Sequence, residues 1–160
     1  MKVVCNTSPL ILLSKIGQQG LLVKLYGQIQ VPNAVFAEIE GKPGAEVDAI
    51  RRMKEHGELQ VQTVTEADKR DVPAELGAGE REAIALALGA GAELILLDDQ
   101  EGRVLARSRG LLVSGTIGVL VEAKIRGHLT SVRTELDRLV DAGFWVAEAL
   151  YDRILREVGE

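Results

Sequence analysis

Asn6, Glu38, Glu80, Asp98 and Asp99 stand where side-chain oxygens can meet a ligand. Asn6 follows the apolar run Val3-Val4-Cys5, and the two aspartates follow Leu94-Ile95-Leu96-Leu97. Both runs have the length and branching of buried parallel strands. Open α/β sheets bind ligands just beyond the carboxyl ends of such strands. Neighbouring carboxylates repel, so Asp98-Asp99 suggests a cation or an altered pKa, the plainer alternative being a solvated turn at a helix start. Glu38 comes three residues after Val35 and one before Ile39, at the rim of a buried helical face. Glu80 opens a helix with Ala83 and Ile84 at i+3 and i+4, which turns it toward the sheet, whereas Glu82 is rotated away and reads as a surface charge. Oxygen donors without a histidine cluster suit Mg²⁺ or Mn²⁺ rather than zinc. His56 and His128 are isolated and read as surface residues.

The elements that must position these groups alternate along the chain. Thr7 or Ser8 offers a hydroxyl cap, and Pro9 suits the first position of a helix that continues through Leu10 to Leu13. Leu21, Leu22 and Leu25 predict a second helix, closed by Gly27. Ile29 and Val31 flank Gln30 in a short strand ended by Pro32, and Asn33 is placed to cap the next helix. Gly41-Lys42-Pro43-Gly44 is a break, followed by an amphipathic helix to about His56 and a strand at Leu59, Val61 and Val64. Residues 65 to 79 read as a polar loop. A helix from Glu80 to Leu88, a strand from Glu93 to Leu97 and a helix through Arg103 to Arg109 follow. Next come a short strand from Leu111 to Val113 and a helix capped within Ser114-Gly115-Thr116. Two final helices carry Leu136 and Leu139, then Leu150, Ile154 and Leu155. The pattern predicts an α/β fold, a parallel sheet flanked by helices.

Composition narrows the function. With 160 residues the chain fits one domain, and its 46% apolar content is that of a globular protein. Only five aromatic side chains occur, which argues against a base-stacking platform for single strands. The single Cys5 excludes an intramolecular disulfide and a structural zinc site. Met1-Lys2 runs straight into a strand without a secretory leader, and no apolar run reaches membrane-spanning length, so a cytoplasmic location is expected. A net charge of −5 is unlike that of a general nucleic-acid coat protein. Yet between Gly102 and Arg133 six basic residues face one acid, Glu122. Such a segment is either a phosphate footprint or a solvated helix face. The side-chain oxygens of Asn6, Glu38, Glu80 and one of Asp98 or Asp99 are expected to cluster in one acidic cleft, and the first reading requires Arg103, Arg107 and Lys124 or Arg126 to border it.

Four segments, in order, resemble the PIN-domain superfamily of metal-dependent nucleases, and most closely an uncharacterised subfamily related to toxin–antitoxin toxins. They are Asn6-Thr7-Ser8-Pro9-Leu10, Val31 to Ile39, Leu76-Gly77-Ala78-Gly79-Glu80 through Ala87, and Leu96-Leu97-Asp98-Asp99. The resemblance implies a three-layer α/β/α fold with a central, mainly parallel sheet over residues 1–160, of which 129–160 form a helical extension. It implies that Asn6, Glu38, Glu80 and either Asp98 or Asp99 hold one or two Mg²⁺ or Mn²⁺ ions, with Thr7 or Ser8 as a supporting hydroxyl. Arg103 or Arg107 would take substrate phosphates. Asn6 departs from the family's pattern, which has aspartate there; an amide coordinates through its carbonyl without bringing charge.

The expected function is therefore metal-dependent cleavage of RNA, with an antitoxin protein as a second partner if the chain is the toxin of such a pair. No membrane partner is expected, and a homo-oligomer is compatible with the sequence. The alternative is a PIN-like fold with a weakened site that binds RNA or protein without cutting. Phosphoryl transfer through an aspartyl-phosphate lacks a nucleophile at Asn6, because an amide cannot serve.

Overall fold

The computed structural model describes residues 1–160. Five strands, β1 (Val3–Cys5), β2 (Ile29–Pro32), β3 (Leu59–Gln62), β4 (Leu94–Leu96) and β5 (Val113–Ser114), pair in the order β3-β2-β1-β4-β5, and every pairing is parallel. The sheet expected to be mainly parallel is thus parallel throughout. Nine helices connect and cover it: α1 (Thr7–Lys15), α2 (Gly20–Tyr26), α3 (Asn33–Glu40), α4 (Ala45–Glu55), α5 (Ala78–Ala90), α6 (Gln100–Ser108), α7 (Thr116–Ile125), α8 (Val132–Asp141) and α9 (Glu148–Glu157).

The period of two along each strand divides the core. Val3, Cys5 and Leu96 belong to a cluster of 27 buried residues drawn from β1 to β4, α1 to α4 and α7 to α9, including Leu10, Leu13, Ile39, Ile50 and Leu120. Val4, Ile95 and Leu97 face a smaller cluster with Ala83, Ile84 and Ala87 of α5 and Ala106 of α6. These are the three layers expected of the family. Alanines along α5 let that helix lie close to the strands, which matters because its first turn carries Glu80.

The strand order positions the site. From β1 the chain moves to β2 and β3 on one side, then returns to β4 and β5 on the other. Connections leaving β1 and β4 therefore diverge, and a crevice opens between their carboxyl ends. Asn6 and Asp98 stand at its two lips.

Two expected caps differ. Asn6, not Thr7 or Ser8, is the N-cap of α1, and Pro9 is its third residue, where an amide hydrogen would lack an intrahelical partner anyway. Pro32, not Asn33, occupies the N-cap of α3, and the Asn33 amide reaches the Thr63 hydroxyl at 3.3 Å. In both cases the chain turns one residue earlier than the hydroxyl or amide pattern suggests. No helix is long and apolar enough to cross a membrane.

Candidate active site

The turn from β1 into α1 buries Asn6 and Thr7 and leaves Ser8 half-buried. Asn6 is only 3% exposed, and its Oδ1 has no hydrogen-bond partner. An unsatisfied amide oxygen in a buried place costs about 1–3 kcal/mol, so it needs an explanation. The side chain does not cap α1 either.

Glu38, on the last turn of α3, and Glu80, in the first turn of α5, approach the same place from two sides. Asn6, Thr7, Ser8, Glu38, Lys42 and Glu80 line one cavity of about 210 Å³, with Ile11 and Leu12 as its apolar wall. Thr7 Oγ1 donates to Glu38 Oε2 at 2.7 Å and fixes that carboxylate. Two glycines leave the space these acids use. At Gly79 an added Cβ would lie 2.9 Å from Glu38 Oε2 and 3.2 Å from Asn6 Oδ1. At Gly77, the N-cap of α5, it would collide with the Glu80 carboxylate. Leu76-Gly77-Ala78-Gly79, a stretch that reads in the sequence as loop punctuation, is instead where backbone gives way to carboxylates. Lys42, seen in the sequence only as part of a break, is the cation of this cavity.

Asp98 and Asp99 separate. Asp99 is exposed and caps α6, its Oδ2 accepting from the Gly102 amide at 2.8 Å. Asp98 turns to the start of α7: Oδ1 accepts from Thr116 N at 2.8 Å, and Oδ2 from Thr116 Oγ1 at 2.6 Å and Ser8 Oγ at 3.0 Å. Gly115, the N-cap of α7, has no side chain to cap with. A Cβ there would stand 2.5 Å from Asp98 Oδ1 and 2.9 Å from Arg103 Nη1, so the aspartate from the neighbouring strand end caps α7 in its place. Asp98 therefore reaches the acidic cavity through Ser8 and does not line it. Thr116, which nothing in the sequence singles out beyond a capping role, is its principal anchor. Asp98 also adds to the burial that pushes the Cys5 thiol well above its usual range.

Arg103 lies beside Asp98, its Nη1 bonded to Leu97 O at 2.8 Å. Burial and the neighbouring Arg107 lower its pKa, and Asp98 counteracts them. Arg107 is exposed on α6. None of the segment's cations, Arg103 and Arg107 included, lines the acidic cavity, contrary to the phosphate-footprint expectation. Lys124 bonds Thr130 O and Glu160, Arg126 bonds Leu25 O and Glu122, and Arg109 bonds Asp71 O. These cations tie helices and loops together, a use that charge spacing alone does not distinguish from phosphate binding. Glu82, expected on the surface, accepts from the Ala34 amide and from Lys69, and so pins the start of α3 to α5.

Whether a divalent cation fits here is decided by the donors. No three His, Cys, Asp or Glu side chains converge closely enough to cage an ion. Mg²⁺ is ordinarily held by one or two carboxylates and keeps several waters. An orphaned buried amide oxygen, a carboxylate beside it and a gap between them left by a glycine meet that need, with Glu80 facing the same cavity. The oxygen-only donors and the space are suited to a hard cation.

No curated protein matches the sequence. The family profile described as a PIN domain matches residues 2–160.

Proposed function

Because the chain belongs to the PIN-domain family, we propose that the cavity between β1, α3 and α5 is the site of a Mg²⁺- or Mn²⁺-dependent ribonuclease. The observation that carries this is the buried, unpartnered Oδ1 of Asn6, which shares the Gly79 gap with Glu38 Oε2. Asn6, Glu38 and Glu80 are the residues that would hold the ion. A cation bound there would supply Lewis acidity to a water and neutralise charge on the phosphodiester. Thr7 orients Glu38, Ile11 and Leu12 restrict water on one wall, and Lys42 offers a positive charge to substrate. Ser8 and Thr116 hold Asp98 at the edge, and Arg103 beside it would take a phosphate oxygen.

The decisive experiment pairs binding with cleavage. A ligand that binds only the native state raises the melting temperature. Mn²⁺ is expected to do so in the parent protein, less in Glu80→Gln, and cleavage of a single-stranded oligoribonucleotide is expected to disappear in that variant. A melting temperature indifferent to Mg²⁺ and Mn²⁺ refutes the metal site. The missing charge at Asn6 and the lack of three converging acids favour a second reading, an RNA-binding protein with little or no cleavage. It predicts RNA binding that survives in EDTA without products in Mn²⁺. Likeness to toxin nucleases adds an antitoxin as protein partner. Growth arrest on induced expression, relieved by Glu80→Gln, tests that role.

A further inference from the structure

A second depression, about 420 Å³, is larger than the acidic cavity and lies beside the open edge of β5, between α7 and α9. Its walls are mixed: Ile117, Phe144 and Ile154 are apolar, while Arg103 and Arg153 bring positive charge. Asp98 also lines it, and the same carboxylate accepts from Ser8, which lines the acidic cavity. One hydrogen bond, from Ser8 Oγ to Asp98 Oδ2 at 3.0 Å, thus links a lining residue of each depression.

Building on the nuclease reading, we infer that this groove takes one nucleotide of a single-stranded RNA next to the bond held in the acidic cavity. Arg103 and Arg153 meet its phosphates and Phe144 its base. With one partly buried aromatic the groove is no stacking platform; two arginines beside an apolar wall suit a single phosphate-bearing unit, and the volume lies within the range of small-ligand sites. The two carboxylates in the lining do not oppose this. Asp98 is satisfied by three donors from Thr116 and Ser8. Glu157 stands 3.8 Å from Arg153 with both side chains more than 60% exposed, an ion pair weak enough for a phosphate to replace. Arg103 has its guanidinium fixed by one bond to Leu97 O, which leaves its other donors unspent. Arg153 comes from the helical extension, so α9 acts in substrate binding and does more than cover the core.

Anisotropy of a short fluorescein-labelled oligouridylate, titrated in EDTA across a range of salt, reads this binding without chemistry. Arg153→Ala is expected to weaken it about fivefold and to lower the slope of log K against log salt by about 0.7, one phosphate contact on a single strand. Arg153→Glu should weaken it further, and Glu157→Gln, which frees Arg153, should tighten it about twofold. Arg156→Ala, on the same helix but outside the groove, should change nothing. Exposure of these side chains makes folding defects improbable as a cause, and equal melting temperatures check it. Indifference to both Arg153 substitutions, which would leave the β5 edge to an extended peptide, overturns the inference, as does an equal loss with Arg156→Ala or an absence of binding at low salt. Loss of the metal effect with the Arg153 dependence intact refutes the nuclease reading alone.

Discussion

Asn6→Asp changes one atom type at the most diagnostic position of the molecule. Asn6 is 3% exposed and its Oδ1 is unpartnered, so without metal the substitution places a carboxylate in a buried setting shared with Glu38 and Glu80. An uncompensated buried charge costs about 3–5 kcal/mol, and the adjoining cavity admits water, which favours the lower end. For a chain of this size about 3 kcal/mol lowers the melting temperature by roughly 6–12 °C. In EDTA the deficit should shrink as pH falls, because protonation returns a neutral group. A divalent cation reverses the sign: the carboxylate becomes a third charged donor, affinity rises, and a ligand at about 100 times its Kd restores about 2.7 kcal/mol. The assay is the melting temperature of parent and variant in EDTA and in Mn²⁺. The gap between the two conditions should be wider in Asn6→Asp, and cleavage in Mn²⁺ should rise with it. Equal gaps would show that position 6 does not face the ion, and the assignment of the cavity as a metal site would fall.

Gly79→Ala separates stability from binding. Alanine favours the helix by about 1 kcal/mol over glycine, but its Cβ enters the gap beside Glu38 Oε2 and Asn6 Oδ1. Thermal stability in EDTA should be unchanged or slightly higher while the Mn²⁺-induced rise is lost; an unaltered rise would place the ion elsewhere. At the other end of the molecule, burial raises the pKa of Glu160 but is outweighed by bonds from the Val132 amide, Lys124, the Arg133 amide and Ser131, which hold the carboxyl at about 2. Its folded pKa lies below the unfolded value near 4.5, so its stabilisation is present above pH 4.5 and lost as pH falls toward 2. Glu160→Gln should lower stability at neutral pH and flatten the acid limb of a pH titration of unfolding in that window.

Local pattern accounts for most of the architecture. Val3-Val4-Cys5 and Leu94 to Leu97 fit only strands buried on both faces, and Ala83, Ile84 and Ala87 announce a helix packed tightly on a sheet. Glu38 and Glu80 were placed by helical phase, because three or four residues decide which face a side chain takes. What local pattern could not supply was the partner across the fold. Asp98 and Asp99 look alike in sequence, and only the Thr116 amide, 18 residues away, makes one of them the cap of α7 while the other caps its own helix. Glu82 is drawn inward by the Ala34 amide, 48 positions earlier. Lys124 meets the Glu160 carboxylate, 36 positions on, and Arg126 the Leu25 carbonyl, 101 positions back, which charge spacing along the chain does not encode. The role of Gly79 was hidden for a related reason: a missing side chain is informative only once its neighbours are known.

The central place of β1 has a consequence for biosynthesis. Its partner β4 is about as far along the chain as Asp98 is from Ser8, a separation of 90 residues. Asn6 and Glu38 leave the ribosome early, whereas Glu80 and Asp98 follow only after β2, β3 and the long loop. At about 5–20 residues per second the interval from Glu38 to Glu80 lasts on the order of a few seconds. Throughout it the nascent chain, tethered beside the message that encodes it, holds an open half-cavity with one carboxylate. A strand order that sends the chain outward before bringing it back thus delays completion of the cavity until half of the protein has been made.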